Sequence, residues 1–554
     1  MTRQLSRIDQ LANDYAQKVL DHSPESVTSL GLPGADESTY SDYSPRGLEQ
    51  IADIQRTTLR ELETLTPVDD VDRVTVAAMN ERLGLELELF DAKEFGDLNN
   101  ITTPLQGVAE IFDLMPTSTQ EDWKLIAARL RAVPQALKGW QQTLSLRAQS
   151  GPANATRQIE LAVAEAKAVA SDSSALAGLA QRGAAAYPQL AEELSEASKL
   201  ARAAYGELSE FIATEIAPYG SEKDAFGRER YERRIRQYVG AKLDLDETYE
   251  WGVAELDRIV TEQARISAKL YGPGVSVTEA MERLNNDPTR QLHGKDALQQ
   301  WMQGISDQAL DDLAGTHFDI PRPMKKIECM LAPSGTGAIY YTGPSDDFSR
   351  PGRMWWSVPD GTETFTTWQE KTTVYHEGVP GHHLQIGYTT YLREQLNTWR
   401  RNFCWVSGHG EGWALYAEGL MRELGYMDEP GDYMGVLDAE RLRASRVVLD
   451  IGVHLEKPAP VQYQHINPVW NRDVAWQFLQ DNVAMERSFL QFELNRYLGW
   501  AGQAPSYKIG HRMWKNLRAE AEQRQGSKFS LKDWHTQALS LGSVGLDVLR
   551  EALA

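Results

Sequence analysis

Cysteine is almost missing from this chain: two in 554 residues, Cys329 and Cys404. That excludes a disulfide framework and any cysteine-based zinc cluster. Positive charge is scarce too, with 57 Lys and Arg against 79 Asp and Glu, a formal net charge of −22. Nucleic acid and an anionic membrane surface both require basic patches, so neither is an expected partner. No apolar run approaches the length of a membrane span. The first residues, MTRQLSRIDQLANDYAQ, turn polar at once and lack the apolar centre of a signal peptide, which makes the cytoplasm the expected location. There is no Pro-, Gly- or Ser-rich linker, no repeat of fixed period and no low-complexity tract. Phosphate-binding P-loops and the G-x-S-x-G nucleophile elbow are absent. No histidine has Asp or Glu three residues before it, which argues against a di-iron helical bundle.

What is present is mostly helical. Leu5, Ile8, Leu11, Tyr15 and Val19 mark an amphipathic helix over residues 5–22, and helical patterns run from about Pro45 to about residue 220. The Ala-rich stretch Ile159–Ala204 predicts a helical hairpin shielding one side of a cleft. Residues 246–270 form another helix, with Asp246 as its cap. The pattern changes between Ile327 and Val358, where IECML, AIYY and RMWWSV alternate with Gly- and Pro-rich turns; this predicts a small sheet with hairpin connections. The expected fold is mainly α with a small β-sheet (α+β) beside a deep cleft. It divides into an N-terminal helical region, 1–235, and a C-terminal region, 236–554, that carries the chemistry. Eight of the eleven histidines lie at or beyond residue 376.

The most informative stretch is TTWQEKTTVYHEGVPGHH, residues 366–383. Thr366 and Gln369 read as a helix-opening capping box. His376 and Glu377 are adjacent, followed by a Pro380–Gly381 break and then His382 and His383. The metal-binding pattern H-E-x-x-H puts its histidines at i and i+4, one turn apart on one face. Here the spacing is six or seven. At ~100° per residue, His382 would face away from His376 in a straight helix, and His383 would sit about two turns along. Proline removes a donor and its ring collides with the carbonyl four residues back, that of His376, while Gly381 accepts unusual backbone angles. The VPG segment therefore reads as a bulge that returns one histidine to chelating position. Imidazoles are zinc ligands, and a neighbouring carboxylate can deprotonate water held there.

Downstream, SGHGEGWALYAEGLMREL (407–424) carries Glu411 and Glu418 seven apart on one face of an apolar helix. A site with two His ligands wants a third, often a carboxylate; Glu411 is the first choice, and Glu418 is either the fallback or the partner that orients a ligating imidazole. In DAERLRASRVVLDIGVHLE (438–456), Arg446, Asp450 and His454 recur every four residues. They form either an internal network or a line facing a site, where His454 can donate to an oxyanion. Tyr507 and Lys508, in PSYKIG, can stabilise a tetrahedral intermediate and hold a substrate carboxylate. Tyr341 and Arg350, near the sheet turns, can contact substrate termini, and a strand beside the histidine helix offers an edge to an extended peptide.

With these segments assembled, the chain resembles a bacterial family known as domain of unknown function 885, grouped with gluzincin-type zinc metallopeptidases. The resemblance rests on YHEGVPGHHLQ, EGWALYAE, VVLDIGVH and PSYKIG, with AYGELSE to YVGAKLD as a weaker central block. Thimet-type oligopeptidases and Taq-type carboxypeptidases carry Gly before the second ligating His, as Gly381–His382 does here. The resemblance implies His376, His382 and Glu411 as Zn2+ ligands, Glu377 as general base, and His454 or Tyr507 as transition-state donors. His383 becomes a supporting or substrate contact. The expected activity is zinc-dependent hydrolysis of short peptides; the alternative is a catalytically inactive metal- or peptide-binding protein of the same fold. The sequence sets no oligomeric state.

Overall fold

Capping side chains fix where many of the helices start. Ser6 and Asp9 form a reciprocal capping box that opens helix Arg7–Leu20, and Asp244, two residues before the expected cap, opens helix Leu245–Tyr271. The computed structural model describes residues 3–332 and 339–554, and within them the protein is mainly α-helical with two small sheets.

Buried apolar side chains gather into two cores. The smaller spans Leu98 to Ile216: the long helix Gln120–Ser150 packs against helix Ala191–Phe211, which in turn holds Thr156–Val169 and Ala175–Ala186. Small alanine side chains let these helices approach closely. The expected hairpin therefore closes a core of its own and does not flank the cleft described below. The larger core takes in the rest, including Ile8, Leu11, Tyr15, Met79 and Leu83 from the first helices. Packing thus divides the chain differently from a cut at residue 235. Long-range polar contacts hold the first helix in the C-terminal body: Asn397 donates to Asp9 at 3.0 Å, and the Thr398 N–H donates to Asn13 at 2.7 Å.

Strand Gly352–Trp356 lies at the centre of the three-stranded sheet. It is antiparallel to Ile339–Thr342, as in a hairpin, but parallel to Ile327–Leu331. The second pairing departs from the expected hairpins, and it leaves Ile339–Thr342 as an edge. Residues 333–338, where the sequence predicts a turn and the start of the AIYY run, lie outside the described residues. A separate antiparallel pair, Gln291–His293 with Thr364–Thr366, leads directly into the histidine helix.

Candidate metal centre and its cleft

The 366–383 segment folds as two helices, Thr367–Glu377 and His382–Tyr391, joined by the turn Gly378–Gly381 with a cis Val379–Pro380 bond. It is a full break, where the sequence suggested a bulge within one helix. Thr366 makes no side-chain cap, and Gln369 instead donates to Asp438 at 3.0 Å. The turn is tight. The Gly381 N–H donates to the Tyr375 carbonyl at 3.1 Å, and a Cβ on Gly381 would lie 1.9 Å from the His376 carbonyl oxygen. Only glycine fits, and the consequence is that His382 swings back over His376, ring centroids 5.0 Å apart.

Helix Ser407–Glu423 brings the third group. Its Gly412 packs onto Gly510 of helix Ser506–Gln525, where an added Cβ would come within 2.5 Å of the Gly510 carbonyl carbon. This backbone-to-backbone approach sets Glu411 and Tyr507 on the same cleft. Glu411 Oε2 lies 3.3 Å from His376 Nε2 and 3.6 Å from His382 Nε2. The donor atoms of the three residues all fall within 4.8 Å of one another. Tetrahedral ligands at zinc bond lengths are separated by about 3.3 Å. Glu411 Oε2 is buried without a hydrogen-bond partner, so the cluster is lined by lone pairs that nothing else satisfies. The donor set fits a zinc ion held by His376, His382 and Glu411.

The supporting contacts are equally specific. His376 Nδ1 donates to Glu418 Oε1 at 2.8 Å, and the other Glu418 oxygen accepts from the Thr372 hydroxyl. Glu418 therefore fixes the orientation of the His376 imidazole. Burial opposes charge on His376, but the Glu411 carboxylate 3.3 Å away, the bond to Glu418 and the charge of Glu377 outweigh it and raise the imidazole to about 10. Glu377, also buried, is pushed upward by its desolvation, against the pull of His376 and His382. His383 points elsewhere: Nε2 donates to the Met324 carbonyl at 2.8 Å, and Nδ1 accepts from the Tyr341 hydroxyl at 3.0 Å. Burial lowers it to about 4, so it stays neutral and ties the edge strand to the His382 helix.

These groups open into a cleft of about 630 Å³, lined in part by His376, Glu377, His382, Glu411, Tyr341, Arg446 and Tyr507. Among the described residues, none before Ile339 lines it. His383 and Glu418 stand behind the lining, and three more of the expected site residues lie outside it. His454 is buried between Phe226 and Tyr231, with Nε2 donating to the Tyr497 carbonyl at 3.0 Å, because its position on helix Pro430–His454 faces the core. Lys508 is buried and pairs with Glu255 and Glu440, both at 3.0 Å. Arg350 pins its own loop, donating to the Gly343 carbonyl at 2.8 Å. Nor do Arg446, Asp450 and His454 bond to one another: Arg446 pairs with Glu493, and Asp450 accepts from Tyr231 and the Gly502 N–H. Sequence reasoning missed Glu370, Trp405, Asp438, Arg443, Glu493 and Arg496, all on the cleft wall. The i,i+3 spacings Arg443–Arg446 and Glu493–Arg496 were the available signal; Trp405 had none.

The fold and site define a helical protein built around a buried two-histidine, one-carboxylate cluster. The family described as bacterial protein of unknown function (DUF885) matches residues 24–553, and the chain belongs to it. Two solved structures share the fold. One, described as "the putative lipoprotein from Colwellia psychrerythraea", has a TM-score of 0.84 at 22% identity, covering 99% of this chain and 98% of its own. The other, described as "a putative lipoprotein of unknown function from Shewanella oneidensis", has a TM-score of 0.75 at 17% identity, with 99% of each chain covered. No curated protein matches. Among the described residues, no helix is long and apolar enough to cross a membrane.

Proposed function

We propose that this protein is a zinc-dependent peptidase of gluzincin type that hydrolyses short peptides. The observation that carries the reading is the convergence of His376, His382 and Glu411 beside Glu377 inside one cleft. Zinc bound there would polarise the scissile carbonyl and acidify a water. Glu377 follows His376 directly and lines the same cleft, where it takes the proton from the attacking water and returns it to the leaving amine. Tyr507 lines the cleft on the Glu411 side and supplies a donor to the oxyanion. Burial pushes its phenol up, and the charge of Glu411 adds to that, so it stays protonated. Edge residues Ile339, Tyr340 and Tyr341 also line the cleft and present main-chain groups to an extended substrate.

A cytoplasmic location belongs to this reading, supported by the two buried, unpaired cysteines; the neighbours' descriptions favour an envelope location, and cell fractionation decides. The test of function is Glu377→Gln. Zinc content should be retained and hydrolysis of short fluorogenic peptides should fall by about 10³-fold. A fully active variant would refute the mechanism. Zinc binding with no hydrolysis by the wild type would favour the inactive binding protein.

A further inference from the structure

Three arginines line one wall of the cleft. Arg443 and Arg446 face it from helix Pro430–His454, and Glu493 and Arg496 face it from helix Arg487–Gly499. Arg446 and Arg496 share a single carboxylate, that of Glu493, at 2.9 and 3.0 Å. Arg443 makes no ion pair among the described residues. Its Nη1 donates only to the Ala439 carbonyl of its own helix, at 3.2 Å, and its Nε is buried without a partner. Among the described residues a single carboxylate, that of Glu493, pairs with any of these three guanidiniums at the cleft, in a chain whose net charge is −22. Two further acids line the cleft, Glu370 and Asp438, and neither forms an ion pair with Arg443 among the described residues. Burial raises Glu370 to about 7, and it raises Asp438 as well, whose Oδ2 accepts from Gln369.

These arginines lie next to the chemistry. The Tyr507 ring packs under Arg446, 5.2 Å from the guanidinium carbon. The same phenol lines the cleft together with Glu411, Arg443 and Arg496. A guanidinium with free donors on a cleft wall is built for a planar anion that accepts two parallel bonds.

We infer that Arg443 is a substrate-binding residue that receives a carboxylate of the peptide. The carboxylate is either the C-terminal group of a short peptide or the side chain of Asp or Glu near the scissile bond. This rests on the peptidase reading and adds a substrate class to it: anionic peptides, anchored at one end by Arg443. Arg446 and Arg496, already neutralised in part by Glu493, hold the local field and position Glu493 and Tyr497.

The test compares one tripeptide sequence in three forms: free acid, C-terminal amide, and C-terminal amide with a glutamate side chain. A charge-assisted bidentate pair should favour a carboxylate-bearing form by about 10- to 100-fold in kcat/KM, mostly through KM. Preference for the free acid assigns the terminal carboxylate; preference for the glutamyl amide over the neutral amide assigns the side chain. Arg443→Gln should narrow the preference to within about threefold, and Arg443→Lys should restore part of it, with thermal melts confirming that both variants fold. Equal rates on all three forms by the wild type overturn the inference, as does an Arg443→Gln variant that keeps the wild-type preference. If no peptide is hydrolysed, the peptidase reading fails on its own, and calorimetric binding of the same three peptides to wild type and Arg443→Gln decides. A carboxylate preference lost in the variant supports the inference; no preference, or one that survives the substitution, overturns it.

Discussion

Replacing Glu418 by glutamine isolates what a charge behind a ligand is worth. Glu418 is 3% exposed and does not reach the donor cluster itself. Its Oε1 accepts from His376 Nδ1 at 2.8 Å, which fixes the ring so that Nε2 faces Glu411, and its second oxygen accepts from Thr372. Glutamine has almost the same shape. Its carbonyl can keep the His376 bond, while its amide faces the Thr372 hydroxyl, which can turn to accept. The imidazole orientation survives, but the negative charge that strengthens it as a ligand does not. Such partners contribute 10- to 100-fold in metal affinity, and retention of the hydrogen bond places Glu418→Gln near the lower figure, about 1.4 kcal/mol. Glu418→Ala loses charge and orientation together, and should reach about 100-fold, near 2.7 kcal/mol. Zinc affinity is measured by competition with a chromophoric chelator, with circular dichroism to verify the fold. Glu411→Gln, which strikes the cluster directly, should cost more than either. Zinc affinity within twofold of wild type for Glu418→Ala would refute the argument that this carboxylate supports His376.

Tyr507 and His454 should separate cleanly. Tyr507→Phe should lower kcat by about 100-fold with little change in melting temperature, since it removes an oxyanion donor from the cleft. His454→Ala should leave kcat near wild type at permissive temperature but destabilise the fold by about 3 kcal/mol, because it strips a buried hydrogen bond to the Tyr497 carbonyl and a packed ring; the reverse pattern would return His454 to catalysis. Asp450 gives a pH test. Burial raises its carboxyl to about 7 from 3.8, against the Tyr231 hydroxyl, the Gly502 N–H and the charge of Arg496, all of which pull it down. Between these values the folded state binds the extra proton, so stability falls as pH rises from about 4 to 7, by up to about 4 kcal/mol. Asp450→Asn should abolish that slope, and thermal melts across the window showing the same slope in both proteins would contradict it.

Much of the site was legible because its chemistry is local. His376–Glu377, Gly381–His382 and the Glu411–Glu418 pair lie on short segments whose helical faces follow from spacing alone. The small sheet was legible for the same reason, from β-branched and aromatic runs between turns. What failed involved the far side of a helix. His454, Asp450 and Arg446 share a stripe, yet the stripe turns past three different neighbours within two turns, Glu493, Tyr231 and the Tyr497 carbonyl, so its members serve separate partners.

By itself, the sequence determined the helical class, the position of the break before His382 and the identity of the groups able to bind a metal, since propensity, proline geometry and ligand chemistry are carried by neighbouring residues. Only the tertiary structure decided which histidine turns inward, that Glu418 stands behind His376, that the first helices join the C-terminal core, and that two arginines share one carboxylate beside Tyr507 while Arg443 stands unpaired. Those outcomes depend on the close approach of Gly412 to Gly510 and on contacts between residues far apart in the chain, and no spacing along one segment encodes which distant surface it will meet.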